Sequence, residues 1–281
     1  MASTRRWNLA VSGAILALIL ATIFMLVRFS RRAQQLAELQ IQFVAGVSHE
    51  LRTPLTVIRT AAFNLQGRMA SRPEQVQKYG GLIQAESEKL TALVEQVLRF
   101  ASTTAGHAIR TREPVAMETI VQDGLRFDLA DSGAAGVAVE REIAPNLPLV
   151  LADELALRQA LQNLVDNALK YGTEGGNWIG VFVSHVEEHG SSGVEIRIAD
   201  RGPGIPLEEQ ESIFDPFFRG QRAVQDQVHG SGLGLYLVKK IIEAHGGTIR
   251  VRSEPMKGTE FLIRIPAAPS ELQDEFAHTL D

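Results

Sequence analysis

A long series of apolar residues at alternating steps of three and four governs what the first part of this chain can fold into. Its members are Leu36, Leu39, Phe43, Val47, Leu51, Leu55, Ile58, Ala62 and Leu65. The spacing predicts one long amphipathic helix, because residues three and four apart share a helix face. Such a face must be buried, so this helix needs at least one partner.

A second apolar stripe supplies that partner. Gly67–Pro73 contains turn-forming residues, and the apolar residues beyond it are Val76, Tyr79, Ile83, Leu90, Leu93, Val97 and Phe100. We expect an antiparallel helical hairpin. Because one hairpin buries too little apolar surface, the predicted assembly is a homodimer in which two hairpins form a four-helix bundle. Docking of the hairpin on the rest of its own chain is the alternative.

One histidine stands away from the apolar face. At about 100° per residue, His49 lies roughly 200° from both Val47 and Leu51, and Glu50 follows it. A water-facing imidazole beside a carboxylate is a candidate nucleophile. The zinc-protease motif H-E-x-x-H begins in the same way, but Thr53 stands where its second histidine would be required. That chemistry is excluded.

Residues 9–27, near the amino terminus, carry no charge. They are flanked by Arg5, Arg6, Arg28, Arg31 and Arg32. The segment has the length of one membrane crossing, and we predict an N-terminal transmembrane helix. A cleaved export signal is the alternative, but the apolar run is longer than such signals use and no small-x-small cleavage site follows it.

Composition excludes several classes of function. The chain has 281 residues, a net charge of −5 and no cysteine. Its lysines and arginines are scattered, so it lacks the basic footprint of a nucleic-acid-binding protein, and no direct nucleic acid binding is expected. Without cysteine it has no disulfide, thiolate metal site or thiol nucleophile. The remaining histidines (107, 185, 189, 229, 245 and 278) have no metal-ligand spacing and are expected to be structural or exposed.

The second half of the chain shows mixed helix and strand patterns. Helices are predicted at Met117–Asp131 and Asp153–Tyr171, and strands at Trp178–Val186, Val194–Ala199, Thr248–Ser253 and Thr259–Ile265. This order predicts an α+β fold, with helices on one face of a mostly antiparallel sheet. The predicted segments are 1–30 (tail and membrane helix), 31–102 (hairpin), 103–114 (linker), 115–267 (α+β domain) and 268–281 (flexible acidic tail).

The helix predicted at 153–171 has a polar face. Asn163, Asn167, Lys170 and Tyr171 stand at relative positions 0, +4, +7 and +8, on one side of the helix. An amide oxygen suits a Mg²⁺ ion carried by phosphates, and an ammonium group suits the phosphate charge. The face is therefore a candidate for binding a magnesium nucleotide. An ordinary solvated helix face is the alternative.

Two glycine-rich segments follow. Asp200 precedes Gly202 and Gly204 at the end of a predicted strand. A carboxylate only accepts hydrogen bonds, so Asp200 suits the adenine amine and rejects a guanine carbonyl, although a plain tight turn explains the motif as well. The second segment, residues 230–235, opens a predicted helix whose free amides suit a phosphate.

The residues between these two segments predict a mobile lid over residues 219–229, which are polar. Three aromatic residues precede it: Phe214, Phe217 and Phe218. They either anchor the lid or belong to the core.

Taken in order, these motifs resemble the membrane-bound sensor histidine kinases of two-component systems. Their ATP-binding domain is similar to that of the gyrase, chaperone, kinase and mismatch-repair ATPase superfamily. The resemblance covers about residues 34–266. It rests on H-E-L-R-T-P-L (49–55), N-L-V-D-N-A-L-K-Y (163–171), D-R-G-P-G-I (200–205), F-D-P-F-F-R (214–219) and G-S-G-L-G-L (230–235).

The resemblance implies the following roles. His49 attacks the γ-phosphate of ATP, Glu50 orients the imidazole and takes up its proton, and Thr53 positions water when the protein dephosphorylates its partner. Asn163 corresponds to the ligand of Mg²⁺. The implied nucleotide contacts are Asn167, Lys170, Tyr171, Asp200, Gly202, Gly204, Gly232, Leu233 and Gly234.

The same resemblance implies the partners and the location. The phosphoryl group passes to an aspartate on the receiver domain of a response regulator. The protein is expected in the bacterial cytoplasmic membrane as a single-pass homodimer, with its catalytic part in the cytoplasm. The family commonly carries a sensor between two spans, whereas this chain has one predicted span. We therefore expect the span or a partner to sense the stimulus, unless a sensor upstream of Met1 has been lost.

Two other functions are alternatives to a histidine kinase. A membrane-tethered scaffold or phosphatase would bind nucleotide without productive autophosphorylation. An ATPase of the same superfamily would use hydrolysis to drive a conformational change. For the ATPase, the sequence lacks an evident water-activating carboxylate upstream of Asn163, and the histidine helix would have no role.

Overall fold

The computed structural model describes residues 2–66, 72–104, 109, 111–122, 137–172, 176–188, 190–225 and 230–273. The chain divides into two compact units, Met1–His49 and Glu50–Asp281. Helix α1, Ala2–Gln66, provides the whole described part of the first unit and continues into the second.

The described part of the first unit consists of α1 up to His49. Among the described side chains, the large apolar ones between residues 15 and 29 are all exposed. Within the described part of the chain, no helix is both long enough and apolar enough to cross a membrane. The transmembrane helix at residues 9–27 therefore stays a prediction.

The second unit opens with the rest of α1 and with α2, Pro73–Thr104. Helix α1 ends at Gln66, as the apolar pattern predicts, and α2 begins at Pro73, a position where a missing N–H costs nothing. The predicted turn between them falls largely on residues 67–71, which lie outside the described residues.

The second unit contains a sheet of five strands: β2 (Ala138–Ile143), β4 (Trp178–Glu188), β5 (Ser191–Asp200), β6 (Thr248–Glu254) and β7 (Gly258–Pro266). Their order across the sheet is β2-β4-β5-β7-β6, in which β2 and β4 are parallel and the other neighbours antiparallel. Two further strands, β1 (Glu113–Val115) and β3 (Val150–Ala152), form a separate antiparallel pair. The predicted α+β class and mostly antiparallel sheet are confirmed.

Three strands were missed by the pattern, for physical reasons. Strands β1 and β3 have three residues each, too few to show an alternation. Strand β2 is a polar edge strand with only two partly buried positions, Val139 and Ile143. Because β1 occupies the end of the predicted linker and α2 extends to Thr104, the connection between them is shorter than residues 103–114.

A helical layer covers one face of this sheet. Helices α3 (Glu154–Gly172) and α5 (Gly234–Ala244) pack on each other and on the strands, and α4 (Gln221–Gln225) is short. Residues 117–122 are also helical, while the rest of the helix predicted to Asp131 lies outside the described residues. The core combines one face of α3 with alternate residues of the sheet, among them Leu157, Leu161, Leu164, Ile179, Ile196, Ile198, Ile263 and Ile265. The domain is thus the expected two-layer sandwich.

One buried histidine joins the two main helices. The Nδ1–H of His245 donates to the carbonyl of Ile241 on α5 (2.7 Å), and its Nε2 accepts the backbone N–H of Asp153, just before α3 (2.9 Å). These bonds fix the neutral tautomer, because a protonated Nε2 could not accept. Burial, together with the nearby charge of Arg112, lowers the pKa of His245 against the opposing effects of the Ile241 carbonyl and Asp153.

The carboxyl-terminal segment begins as packed structure. Ala267 forms a bridge with Val150, and the N–H of buried Ala268 donates to the Leu149 carbonyl (2.7 Å). Residues 270–273 are helical. The prediction of a flexible tail from residue 268 is therefore wrong for its first residues, since small Ala268 fits the core edge. Residues 274–281 lie outside the described residues.

Candidate functional site

A cavity of about 910 Å³ lies in the second unit, between α3, the end of β5 and the segment that precedes α5. Most of the predicted nucleotide contacts line it together: Asn163, Asn167, Lys170, Tyr171, Asp200, Gly204, Gly232 and Gly234. Gly202 and Leu233 are not among its lining residues. The motifs therefore meet in space although more than 60 residues of chain separate the first from the last.

The polar face of α3 supplies one wall. Its opposite face is buried in the core through Leu157, Leu161 and Leu164, so the helical period turns the polar residues toward the cavity. The Lys170 Nζ lies 5.4 Å from the centre of the Tyr171 ring. Partial desolvation lowers the pKa of Lys170, and the neighbouring Arg219 lowers it further. A cation in this environment gains strongly from an anionic ligand.

Asp166 shares this wall and was not predicted. It lines the cavity one turn before Lys170, and partial desolvation raises its pKa while the charge of Lys170 opposes the rise. The spacing of three residues from Asn163 places it on the same side of α3. That spacing was the signal available in the sequence.

Asp200 is fixed by backbone donors at the end of β5. Its Oδ1 accepts hydrogen bonds from the N–H groups of Gly202 (2.8 Å) and Thr259 (3.3 Å). Burial raises the pKa of Asp200, and these two bonds oppose the rise. The carboxylate is thereby held in one orientation, with one oxygen occupied by the protein.

Two glycines of the site are required by close backbone approach. Gly204 has a φ of +72°, and an added Cβ would lie 2.1 Å from the Glu254 carbonyl oxygen. A Cβ on Gly202 would lie 2.5 Å from the carbonyl oxygen of Tyr171. Gly202 therefore shapes the turn that presents Asp200, although it does not itself line the cavity.

The glycine-rich segment before α5 is positioned differently. Gly232 has a φ of +69°, and its carbonyl accepts the N–H of Phe217 (3.0 Å). A Cβ on Gly234 would meet nothing within 4 Å, so packing does not demand a glycine there. The Leu233 side chain is fully buried, which makes it a core residue whose backbone alone is available to a ligand.

Helix α2 provides a wall that the sequence did not predict. Lys89, Ala92 and Gln96 line the cavity, and the Gln96 Oε1 accepts a hydrogen bond from the Ser231 hydroxyl (2.8 Å). Four residues further, the Phe100 ring packs against Phe217 and Tyr236, with centroids 5.6 and 5.4 Å apart. The end of α2 thus docks on the sandwich, in line with the alternative considered for the hairpin.

The aromatic residues before the lid have different positions. Phe214 is a core residue, buried against Phe261 with ring centroids 6.3 Å apart. Phe217, with a φ of +66°, faces α2. Helix α4 occupies part of the predicted lid, and residues 226–229 lie outside the described residues.

The three motif residues on α1 are distributed over both units. His49 is helical and belongs to the first unit, and its side chain is outside the described part. Thr53 is exposed. Glu50, in the second unit, forms an ion pair with Arg219, with Nη1 and Oε1 3.6 Å apart.

The side chains that line the cavity suit a metal ion that is already bound to a phosphate ligand when it enters. Among the described residues, no group of three or more histidines, aspartates or glutamates is arranged to hold a metal ion. The cavity wall instead offers the neutral amide oxygens of Asn163 and Asn167 near the Lys170 cation. Such a site fits Mg²⁺ already coordinated by phosphates better than a resident metal ion.

Comparison with known proteins agrees with this geometry. Residues 39–106 match the family model of the His Kinase A (phospho-acceptor) domain, and residues 152–269 match that of the histidine kinase-, DNA gyrase B-, and HSP90-like ATPase. The sensor-like histidine kinase SenX3 of Mycobacterium tuberculosis is 34% identical over 233 residues, covering 83% of this chain and 55% of SenX3. The chain thus spans about half the length of the curated relatives it matches.

Two solved structures are also similar. Full-length ShkA in complex with AMPPNP shares 30% identity, with a TM-score of 0.57 over 80% of this chain and 46% of ShkA. The histidine kinase AdeS of Acinetobacter baumannii has the same fold, with a TM-score of 0.58 over 79% of this chain and 98% of AdeS at 23% identity. With a phospho-acceptor domain followed by an ATPase domain of this type, the chain belongs to the sensor histidine kinases of two-component systems.

Proposed function

We propose that this protein is an ATP-dependent histidine kinase that phosphorylates His49 and passes the phosphoryl group to an aspartate on a response regulator. The observation that carries this proposal is the cavity that gathers Asn163, Lys170, Asp200 and the glycine-rich segment. ShkA, a related kinase, binds AMPPNP, which supports an adenine nucleotide as the ligand.

Each wall of the cavity has a distinct task. The backbone donors that hold Asp200 leave its second oxygen to accept the adenine amine. Lys170 and the amides before α5 meet the phosphates. The Asn163 amide oxygen would hold Mg²⁺, which offsets phosphate charge when bound.

The phosphoryl transfer itself uses groups on α1. The imidazole of His49 forms a bond to the γ-phosphorus as the bond to the β-γ bridging oxygen breaks and ADP leaves. Glu50 accepts the imidazole proton, which prevents charge from accumulating on the ring. Thr53, one turn further and exposed, positions a water molecule for dephosphorylation of the regulator.

The assembly we propose is a homodimer through α1 and α2. The hairpin keeps large apolar side chains in solvent, including Leu55 (59% exposed) and Leu98 (63%). Exposed apolar surface of this kind marks an interface. Pairing with a second copy would bury it in a four-helix bundle.

We also propose that residues 9–27 anchor the protein in the bacterial cytoplasmic membrane as a single span. The uncharged sequence between two groups of arginines supports this, as do the exposed apolar side chains of α1, such as Phe24 and Leu26. Because ATP is the substrate, the catalytic part lies in the cytoplasm.

Incubation of the full chain with γ-³²P-labelled ATP and Mg²⁺ tests the kinase assignment. We expect acid-labile, alkali-stable label on the wild type and on the control His185→Gln, whose histidine is exposed on β4. His49→Gln should carry no label while still binding ATP. Label retained in His49→Gln, or ATP hydrolysis without any phosphoprotein, would refute the assignment and favour the nucleotide-binding scaffold or the ATPase.

A further inference from the structure

The carboxylate next to the phospho-acceptor histidine is engaged by a residue of the catalytic domain. Glu50 pairs with Arg219, and both side chains are largely withdrawn from water, with exposures of 19% and 28%. An ion pair with this degree of burial is screened by salt less than a fully exposed one. In this state the Glu50 carboxylate is paired with the Arg219 guanidinium.

Arg219 also belongs to the proposed nucleotide site. It lines the cavity at the start of the lid, beside Gly220. The pKa of Lys170 is lowered by the charge of Arg219 and raised by that of Glu50, so the three groups interact electrostatically. Asp166 on the same wall also raises the pKa of Lys170, so two cations face two carboxylates here and each cation already has an anionic neighbour.

A polyphosphate is a stronger partner for this guanidinium than one carboxylate. It carries several negative charges, and its oxygens accept bidentate, charge-assisted hydrogen bonds from arginine. Lys170 draws the same ligand to the same wall. Phosphate and the Glu50 carboxylate therefore compete for Arg219.

We propose that Arg219 is a positioning residue that holds Glu50 when the cavity contains no nucleotide, and exchanges it for the phosphates when ATP enters. Loading of ATP then releases Glu50 to act on His49, its neighbour in the chain. The inference rests on the proposed function, because it presumes a nucleotide in the cavity. It adds that the proton acceptor becomes available only once the phosphoryl donor is bound.

Competition between the ATP phosphates and the Glu50 carboxylate for Arg219 can be measured. Coupling between two binding partners is reciprocal, so each one weakens the binding of the other. If ATP binding must break the ion pair, removing the charge of Glu50 must tighten ATP binding. Partly exposed ion pairs are worth little individually, and the corresponding change in affinity is about 1.5- to 5-fold. Glu50→Gln is thus expected to bind ATP more tightly while phosphorylating His49 more slowly.

A double-mutant cycle on the full chain measures this coupling. ATP and AMP affinities are determined by displacement of a fluorescent ATP analogue from wild type, Glu50→Gln, Arg219→Gln and the double variant. The increase in ATP affinity caused by Glu50→Gln should disappear in the Arg219→Gln background. AMP, which lacks the β- and γ-phosphates, should show a smaller effect or none.

Two further variants separate positioning from folding. Arg219→Lys keeps the charge and should restore part of the coupling. Lys240→Gln breaks an exposed ion pair with Glu243 on α5, outside the cavity lining, and should leave both affinities unchanged. Unchanged or weakened ATP binding in Glu50→Gln, or the same tightening without Arg219, would overturn the proposal. Failure of the wild type to bind ATP would instead refute the proposed function.

Discussion

Replacing Asp200 by asparagine is predicted to change which base the cavity prefers. The Oδ1 of Asp200 accepts two backbone N–H groups, from Gly202 and Thr259. In the Asp200→Asn variant these donors must face the amide oxygen, because facing the NH₂ group would leave buried donors unpaired at about 1–3 kcal/mol each. The NH₂ group then takes the place of the oxygen available to the ligand.

The expected magnitude follows from that reversal. Adenine presents an amine at its 6-position, so a carboxylate acceptor is exchanged for an opposing donor. A hydrogen bond to a charged group contributes about 1.5–3 kcal/mol, and its loss weakens ATP binding about 10- to 150-fold. Hypoxanthine carries a carbonyl at the same position, which the new NH₂ group can meet. The preference for ATP over ITP should therefore fall by at least the factor lost for ATP.

Displacement of a fluorescent ATP analogue by ATP and by ITP measures this preference at constant Mg²⁺. Asp166→Asn is the matched control, because it removes another carboxylate from the same cavity wall and should leave the ATP to ITP ratio unchanged. If Asp200→Asn weakens both nucleotides by the same factor, or retains ATP affinity, Asp200 does not read the base.

Three further predictions concern stability and assembly. Gly204→Ala should destabilise the sandwich by about 3 kcal/mol or more in chemical unfolding, since the residue has a positive φ and no space for a Cβ. The control Gly80→Ala, in open space on α2, should stabilise its helix by about 0.5–1 kcal/mol. Equal effects of the two substitutions would refute the steric argument. Because the pKa of His245 is lowered in the folded protein, its imidazole takes up a proton more readily in the unfolded chain. The melting temperature should therefore fall as the pH drops below about 6.5, and it should fall less steeply in His245→Gln. Parallel pH profiles of the two proteins would contradict this. Leu98→Lys should shift the dimer toward monomer in sedimentation velocity. The control Leu155→Lys, at a leucine on α3 that is even more exposed, should not. A dimer unchanged by Leu98→Lys would place the interface elsewhere.

The sequence predicted the parts of the fold in which period and burial coincide. Helix α3 and strands β4 to β7 were found because one face of each is buried and the other is polar. Short β1 and β3 have no room for a pattern, and β2 is a polar edge strand. Ala268 could not be predicted as buried, because Leu149, whose carbonyl accepts its N–H, lies more than 100 residues earlier.

The site was predictable where a side chain has a chemical reason to be there. Asp200 and the polar face of α3 were predicted from the groups that an adenine and a polyphosphate would need as partners. The α2 wall does not, because Gln96 looks like any polar helix residue until the fold places it against Ser231. The ion pair between Glu50 and Arg219 joins two motifs recognised separately, and only the tertiary structure could reveal their contact.

The bonds of His245 have a mechanical consequence for the kinase. One imidazole holds the start of α3 and the last turn of α5 at hydrogen-bond distance on both sides, and both helices contribute residues to the wall of the cavity. The two hydrogen bonds therefore couple the position of α3 to that of α5. A widening of the cavity is therefore expected at walls that this imidazole does not tie, such as the end of α2.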